Sequence, residues 1–248
     1  MEHRNKRIFY FSPTGSCRAF ARGIAMPDDG LSDLTSPDSR AKIPSFSPSD
    51  ECAFFFPVYN GRIPDACAAF LGKCRGNGAR AFLFCVYGGA HKGKSLSEGA
   101  ELLRERAFIP IGGGFLPAPH AYTKHIKNAV TQERISKLAA FLRGECAGTV
   151  IPIADRAPNT QIQKRMKPLT GKCRLNSEKC LSCGKCREIC PVAAIGNAFR
   201  ADKNCILCGA CVSVCPTRAR KLSLTPFTTL FLKLNCKERK DEFYTFPR

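Results

Sequence analysis

No stretch of this 248-residue sequence holds the eighteen or more apolar residues that a membrane helix needs, so a helical span is not expected. A secretion signal is not expected either. The basic start, Met1 to Arg7, is followed only by Ile8 to Phe11 before Ser12-Pro13, which is too short for a signal core. Histidine is scarce, with four in all, and His91, His120 and His125 share no spacing that would make a metal set. Acidic residues are few: 20 Asp and Glu stand against 39 Lys and Arg, a formal net charge of +19. That balance suits an acidic partner, a nucleic acid or an anionic surface. The bases are scattered, from Arg4 through Arg80, Arg104, Lys127, Arg143, Lys164 and Arg220 to Lys237. No basic block interleaved with aromatics stands out, so nucleic-acid binding is not expected. No long insertion that would build a substrate pocket stands out either.

What the chain has in excess is cysteine, sixteen of them. Eight fall in one repeat. Cys180-x2-Cys183-x2-Cys186-x3-Cys190-Pro191 recurs 25 residues later as Cys205-x2-Cys208-x2-Cys211-x3-Cys215-Pro216. Three thiolates two residues apart let a tight turn wrap three corners of an iron–sulfur cube, and the fourth corner must come from elsewhere. Structural zinc is an alternative, but two Cys-x2-Cys pairs would suffice for a tetrahedral site. Disulfides are another, since cysteine-rich chains are often secreted frameworks. The remaining cysteines (Cys17, Cys52, Cys67, Cys74, Cys85, Cys146, Cys173 and Cys236) show no ligand spacing and read as small core residues in a reducing compartment, the cytosol. Cys173 and Cys236 flank the repeat and stay open as minor ligand candidates.

Upstream, apolar runs alternate with helical patterns. Arg7 to Phe11 reads as a buried strand, followed by Ser12-Pro13-Thr14-Gly15-Ser16-Cys17 and a helix from Arg18 to Ala25. A strand, a hydroxyl- and glycine-rich turn and a helix start make an anion site, because free backbone N–H groups and the helix dipole face it. An ordinary turn capping a helix is the other reading of those residues. After a variable region from Gly30 to Asp50, Cys52 to Pro57 and Ala79 to Val86 read as further strands. They open into Val58-Tyr59-Asn60-Gly61-Arg62 and Tyr87-Gly88-Gly89-Ala90-His91-Lys92. Helices are expected up to Lys73 and from Ser95 to Arg106, a fourth strand over Ala107 to Leu116, and a helix over Thr131 to Arg143. Val150 to Ile153 reads as an edge segment. Strands alternating with helices predict a doubly wound parallel sheet with its ligand crevice beyond the carboxyl ends of the strands.

Two resemblances follow. The cysteine repeat is similar to bacterial-type two-cluster ferredoxins. This implies two [4Fe–4S] clusters, one on Cys180, Cys183, Cys186 and Cys215, the other on Cys205, Cys208, Cys211 and Cys190. The first loop resembles the phosphate loop of flavodoxins at Ser12, Thr14, Gly15 and Ser16, with Cys17 where Thr is usual. That likeness implies FMN, its ring covered by the second and third loops at Pro57, Tyr59, Asn60, Gly61, Tyr87, Gly88 and Gly89. The whole order resembles the flavodoxin-like/ferredoxin fusion proteins of anaerobic bacteria.

The expected architecture is thus α/β: a flavodoxin-like doubly wound parallel sheet over 1–154, a linker over 155–172, a small α+β two-cluster ferredoxin domain over 173–223, and a tail over 224–248 with a docking helix. The resemblance implies a cytoplasmic electron-transfer protein passing electrons between FMN and two clusters and on to a redox partner protein, acidic to match the basic chain. A flavin-dependent reductase with its own substrate, or an iron–sulfur interaction module with a non-functional flavin site, are the alternatives. Arg62, His91, Lys92 and Lys94 beside the ring loops lead to the expectation of a less negative flavin potential than flavodoxins have.

Overall fold

The computed structural model describes residues 6–123, 128–151 and 169–247. The expected linker lies outside them as far as residue 168, as do Ile153 and His125. The chain first lays down β1 (Lys6–Tyr10), α1 (Ser16–Ile24), β2 (Gly30–Asp33), α2 (Pro37–Ala41), β3 (Glu51–Pro57), α3 (Asp65–Lys73), β4 (Arg80–Tyr87), α4 (Ser95–Glu105), β5 (Ile109–Pro117), α5 (Gln132–Leu142) and the short β6 (Thr149–Val150). Strands β1 to β5 are parallel, in the spatial order β2-β1-β3-β4-β5. That is the flavodoxin-like order, whose ligand crevice lies at the switch point between β1 and β3.

The strands are apolar runs because both faces of the sheet are covered. Along β3, Phe54 and Phe56 face the core shared with α3 and α4, through Phe70, Leu71, Leu96 and Leu103. Phe55, between them, faces the opposite core with Phe20 of α1 and Leu138 and Phe141 of α5. All three rings are fully buried, each contributing about 1.5–3 kcal/mol relative to exposure.

After residue 168 come β7 (Gly171–Leu175), α6 (Lys185–Glu188), α7 (Ala210–Ser213), β8 (Arg220–Leu224), α8 (Pro226–Asn235) and β9 (Glu242–Thr245). β7 and β8 form an antiparallel ribbon that closes the cysteine repeat from both ends. The tail then does more than dock a helix. β9 enters the main sheet antiparallel to β5, and β6 pairs on its outer side. The Arg134 guanidinium on α5 holds the tail by a forked ion pair to Asp241, and Lys92 pairs with Glu242. The docking expected of α8 is made by its ends: Thr228 Oγ1 donates to the Leu169 carbonyl at 2.8 Å, and Cys236 Sγ donates to the Gly88 carbonyl at 2.9 Å. Leu232 is buried, while Phe227, Leu230 and Leu234 stay exposed. Among the described residues no helix is long and apolar enough to cross a membrane.

Candidate functional site

The 25-residue repeat in sequence is also a repeat in backbone. Ser182 (φ 51°) matches Leu207 (φ 56°), Gly184 (φ 80°) matches Gly209 (φ 84°), and Ala193 (φ 48°) matches Arg218 (φ 55°). Left-handed residues in a turn aim successive backbone N–H groups into one concavity, which favours an anion. Gly184 and Gly209 also start α6 and α7 without a side-chain cap. Four of these six residues carry a Cβ, and such strain persists only where the surroundings enforce it.

These turns gather the thiols in two groups. Cys180, Cys183, Cys186 and Cys215 line one cavity. Cys190, Cys205, Cys208 and Cys211 line another, and Cys173 joins them. Each set therefore takes its fourth cysteine from the other repeat. Among the described residues no three Cys, His, Asp or Glu side chains converge as a single ion would require. The thiols are instead spread around the walls of two separate concavities.

Arg220 supports an anionic occupant. It is 3 % exposed, its Nη2 donates to Cys186 Sγ at 3.3 Å, and its Nε has no partner. A buried guanidinium is costly without a counter-charge. A cube bound by four thiolates is a net anion, so the donor set, the turns and the cation fit the same group.

Most cysteines outside the repeat are core residues as expected, but Cys146 is exposed, in the short turn after α5. Burial pushes the Cys52 and Cys85 thiols up to about 12 and Cys74 to about 11, and it also raises Cys17 and Cys67 well above the ordinary thiol value. They stay protonated at neutral pH. Cys173 differs, since its Sγ lies 3.6 Å from Cys211 Sγ. Sequence spacing gave no sign of that contact, because the pairing of β7 with β8 brings it about.

At the carboxyl ends of the parallel strands, the loop from Ser12 to Cys17 follows β1. Gly15 is left-handed (φ 96°) and precedes α1, whose first turn has no side-chain cap from it. A Cβ at Gly15 would meet nothing closer than the Arg18 guanidinium at 3.8 Å. Ser12 Oγ accepts from the Arg18 N–H at 3.0 Å, and Thr14 is exposed. Open N–H groups, hydroxyls and a nearby cation fit a phosphate. Cys17 is turned into the core, packed with Phe20 and Ala21, so only its backbone can serve such a ligand.

The second loop is a two-residue turn. Tyr59 and Arg62 exchange backbone hydrogen bonds at 2.8 and 3.2 Å around left-handed Asn60 and Gly61, the preference of an Asn-Gly pair. Pro57 and Tyr59 are half-buried. Burial raises the Tyr59 hydroxyl well above its usual value, and Cys208 and Tyr122 add to the effect. In the third loop Tyr87 faces the core, edge-on to Phe115, not the crevice. The cations near these loops are largely paired. Arg62 Nε lies 2.9 Å from a Glu98 oxygen and Lys92 is held by Glu242, which removes much of the charge expected to act on a flavin.

The two halves meet at the strand ends. Tyr122, in the loop after β5, donates from its hydroxyl to the Leu207 carbonyl at 2.6 Å. Arg40 Nη2 donates to the Pro191 carbonyl at 2.5 Å, and Ile206 packs against the core under α3 and α4. The second cysteine set therefore faces the α/β domain. The first faces outward, with Cys183 exposed and Leu181 69 % exposed.

The 4Fe-4S binding domain family matches residues 174–196 and 202–221. No curated protein matches the chain. Among solved structures, a flavodoxin of Streptococcus pneumonia TIGR4 is 14 % identical over 57 % of this chain and 99 % of its own, with a TM-score of 0.40. A flavoprotein from Lactobacillus acidophilus NCFM, in complex with FMN, is 16 % identical over 46 % of this chain and 93 % of its own, with a TM-score of 0.36. The fold assignment rests on the strand order, not on these scores. The chain joins a flavodoxin-like α/β sheet, completed by its own C-terminal strand, to a 4Fe-4S binding domain inserted ahead of that strand.

Proposed function

We propose that the protein is an electron carrier whose α/β domain holds FMN and whose cysteine repeat holds two [4Fe–4S] clusters, in line from the crevice to the surface. When bound, FMN supplies one- or two-electron chemistry and each cluster supplies one electron at a time. The phosphate falls to the backbone of Gly15, Ser16 and Cys17, with the Ser12 and Thr14 hydroxyls and Arg18 beside it. The ring falls to the loops at Pro57, Tyr59, Asn60 and Gly61 and at Gly88 and Gly89. Cys205, Cys208, Cys211 and Cys190 hold the inner cluster, and Cys180, Cys183, Cys186 and Cys215 hold the outer one. An acidic redox protein docks beside Leu181 and Cys183, drawn by the basic chain.

The observation that carries this reading is the contact of Leu207 with Tyr122. It seats the inner cysteine loop on the same strand ends that form the crevice. Tyr122 and Arg40 fix that seat through carbonyl groups, so the cysteines stay available for iron. Tyr59 lies within electrostatic reach of Cys208, and burial keeps the proton on its hydroxyl.

One observation favours a second reading, clusters carried on an α/β domain without flavin. A Cβ at Gly88 would lie 2.2 Å from the His120 ring, and one at Gly89 would lie 2.3 Å from the Lys237 carbonyl. The tail therefore closes on the third loop. Iron, sulfide and flavin quantified on one anaerobically purified sample separate the two. The carrier reading predicts about eight iron and one FMN per chain. Eight iron with no flavin, even after FMN is added, would overturn it in favour of the second.

A further inference from the structure

Arg220 opens β8 and touches the outer cysteine set directly and the inner one through Cys173. Its Nη2 donates to Cys186 Sγ at 3.3 Å and also to the Phe199 carbonyl. Its Nη1 donates to Cys173 Sγ at 3.8 Å, and Cys173 Sγ lies 3.6 Å from Cys211 Sγ. Cys186 lines the outer cavity, while Cys173 and Cys211 line the inner one. The guanidinium is thus one contact from an outer-set sulfur and two contacts from an inner-set sulfur. Among the described residues its hydrogen-bond partners are sulfur and carbonyl oxygen, with no carboxylate to neutralise it. Its charge therefore acts on the cysteines alone.

We propose that Arg220 sets the order of the two cluster potentials, making the outer cluster the easier one to reduce. An electron added to a thiolate-bound cube increases its negative charge. A buried cation hydrogen-bonded to a ligand sulfur stabilises the reduced form more than the oxidised form, and low local polarity keeps the effect unscreened. Because Arg220 reaches Cys186 directly and Cys211 only through the Cys173 thiol, the outer cluster gains more. An electron entering the pair then rests on the cluster nearest the surface, next to Leu181 and Cys183. Arg220 is a positioning residue, since it acts through a ligand sulfur and not on a substrate.

The inference rests on both cavities holding clusters, and iron counting separates a failure of that premise from a failure of the proposal. The test is an anaerobic redox titration of the whole chain, followed by EPR, comparing the native protein with Arg220→Gln and Arg220→Lys. In Arg220→Gln with about eight iron retained, the more positive couple falls while the more negative one moves less. The expected size is at least a tenfold loss in the reduced-to-oxidised ratio at fixed potential, about 59 mV for one electron. Arg220→Lys keeps the charge but cannot serve Cys186, Cys173 and Phe199 together, so it falls by less. If the Gln variant sheds iron, the Lys variant carries the test. Unchanged potentials in whichever variant keeps its iron would overturn the proposal. So would loss of iron from both, which would make Arg220 an assembly element.

Discussion

An ion pair between Arg134 and Asp241 ties the tail to α5, and breaking it from either side should cost different amounts. Arg134 on α5 reaches Asp241 with Nε at 2.9 Å and with Nη2. It also donates to the carbonyls of Ala129 at 2.7 Å and Pro117 at 2.6 Å, and its guanidinium lies over the Phe20 ring at 5.0 Å. The two side chains are 16 % and 8 % exposed. Arg134→Met leaves the Asp241 carboxylate nearly buried without this partner, which costs about 3–5 kcal/mol. Asp241→Asn leaves Arg134 with its carbonyl partners, so the loss is nearer that of one charged hydrogen bond, about 1.5–3 kcal/mol. The double variant should cost less than the sum by about 1 kcal/mol or more, since the residues touch. Anaerobic urea unfolding followed by far-UV circular dichroism reads the sheet, and cluster absorbance reads the repeat separately. Single variants costing under about 1 kcal/mol, or strict additivity, would refute the claim that this pair holds the tail to the sheet.

Three further outcomes are expected. Tyr122→Phe leaves the Leu207 carbonyl without its donor, at about 1–3 kcal/mol if water cannot replace it; amide exchange around 205–209 should quicken while iron stays bound, and unchanged exchange would count against this seat. Gly184→Ala or Gly209→Ala forces a Cβ onto a left-handed residue, so each should lower iron towards about four per chain, read by iron analysis after anaerobic reconstitution. Burial alone would raise the Glu242 carboxyl, but hydrogen bonds from Lys92 and Tyr244 outweigh it and hold the group below its ordinary 4.5. A lowered carboxyl contributes stability that is complete above its unfolded value and lost as pH falls through the folded one. Proteolysis of the tail should therefore rise below about pH 4.5, and Glu242→Gln should remove that dependence.

The cysteine pattern and the strand runs were legible because both are local. Covalent spacing fixes which thiols one turn can present, and the run Phe54-Phe55-Phe56 marks a strand covered on both sides. The helix over residues 131–143 and the strand ending the third parallel pair differ from the observed α5 and β4 by one residue at each end. What could not be read depends on distant residues meeting. Glu242-Phe243-Tyr244-Thr245 is too short to announce a strand, and it becomes one because β5 offers an unpaired edge. Arg62 and Lys92 look like free cations beside the ring loops until Glu98 and Glu242 are brought to them by α4 and the tail. Tyr87 ends its strand on the core side, and a shift of one residue in the run would have turned it outward. Cys173 carries no ligand spacing, and only the β7–β8 ribbon sets it against Cys211.

In the proposed order the Cys205 set lies between the crevice and the Cys180 set. The most direct test of that order is the rate at which clusters exchange electrons with bound FMN, followed by rapid-freeze EPR, in chains with one set disabled at a time. With Cys183→Ser, which disables the outward set, exchange between flavin and the remaining cluster should persist at its native rate. With Cys208→Ser, which disables the inner set, exchange with the outer cluster should slow sharply. The reverse pattern, or equal slowing by both substitutions, would contradict the order proposed.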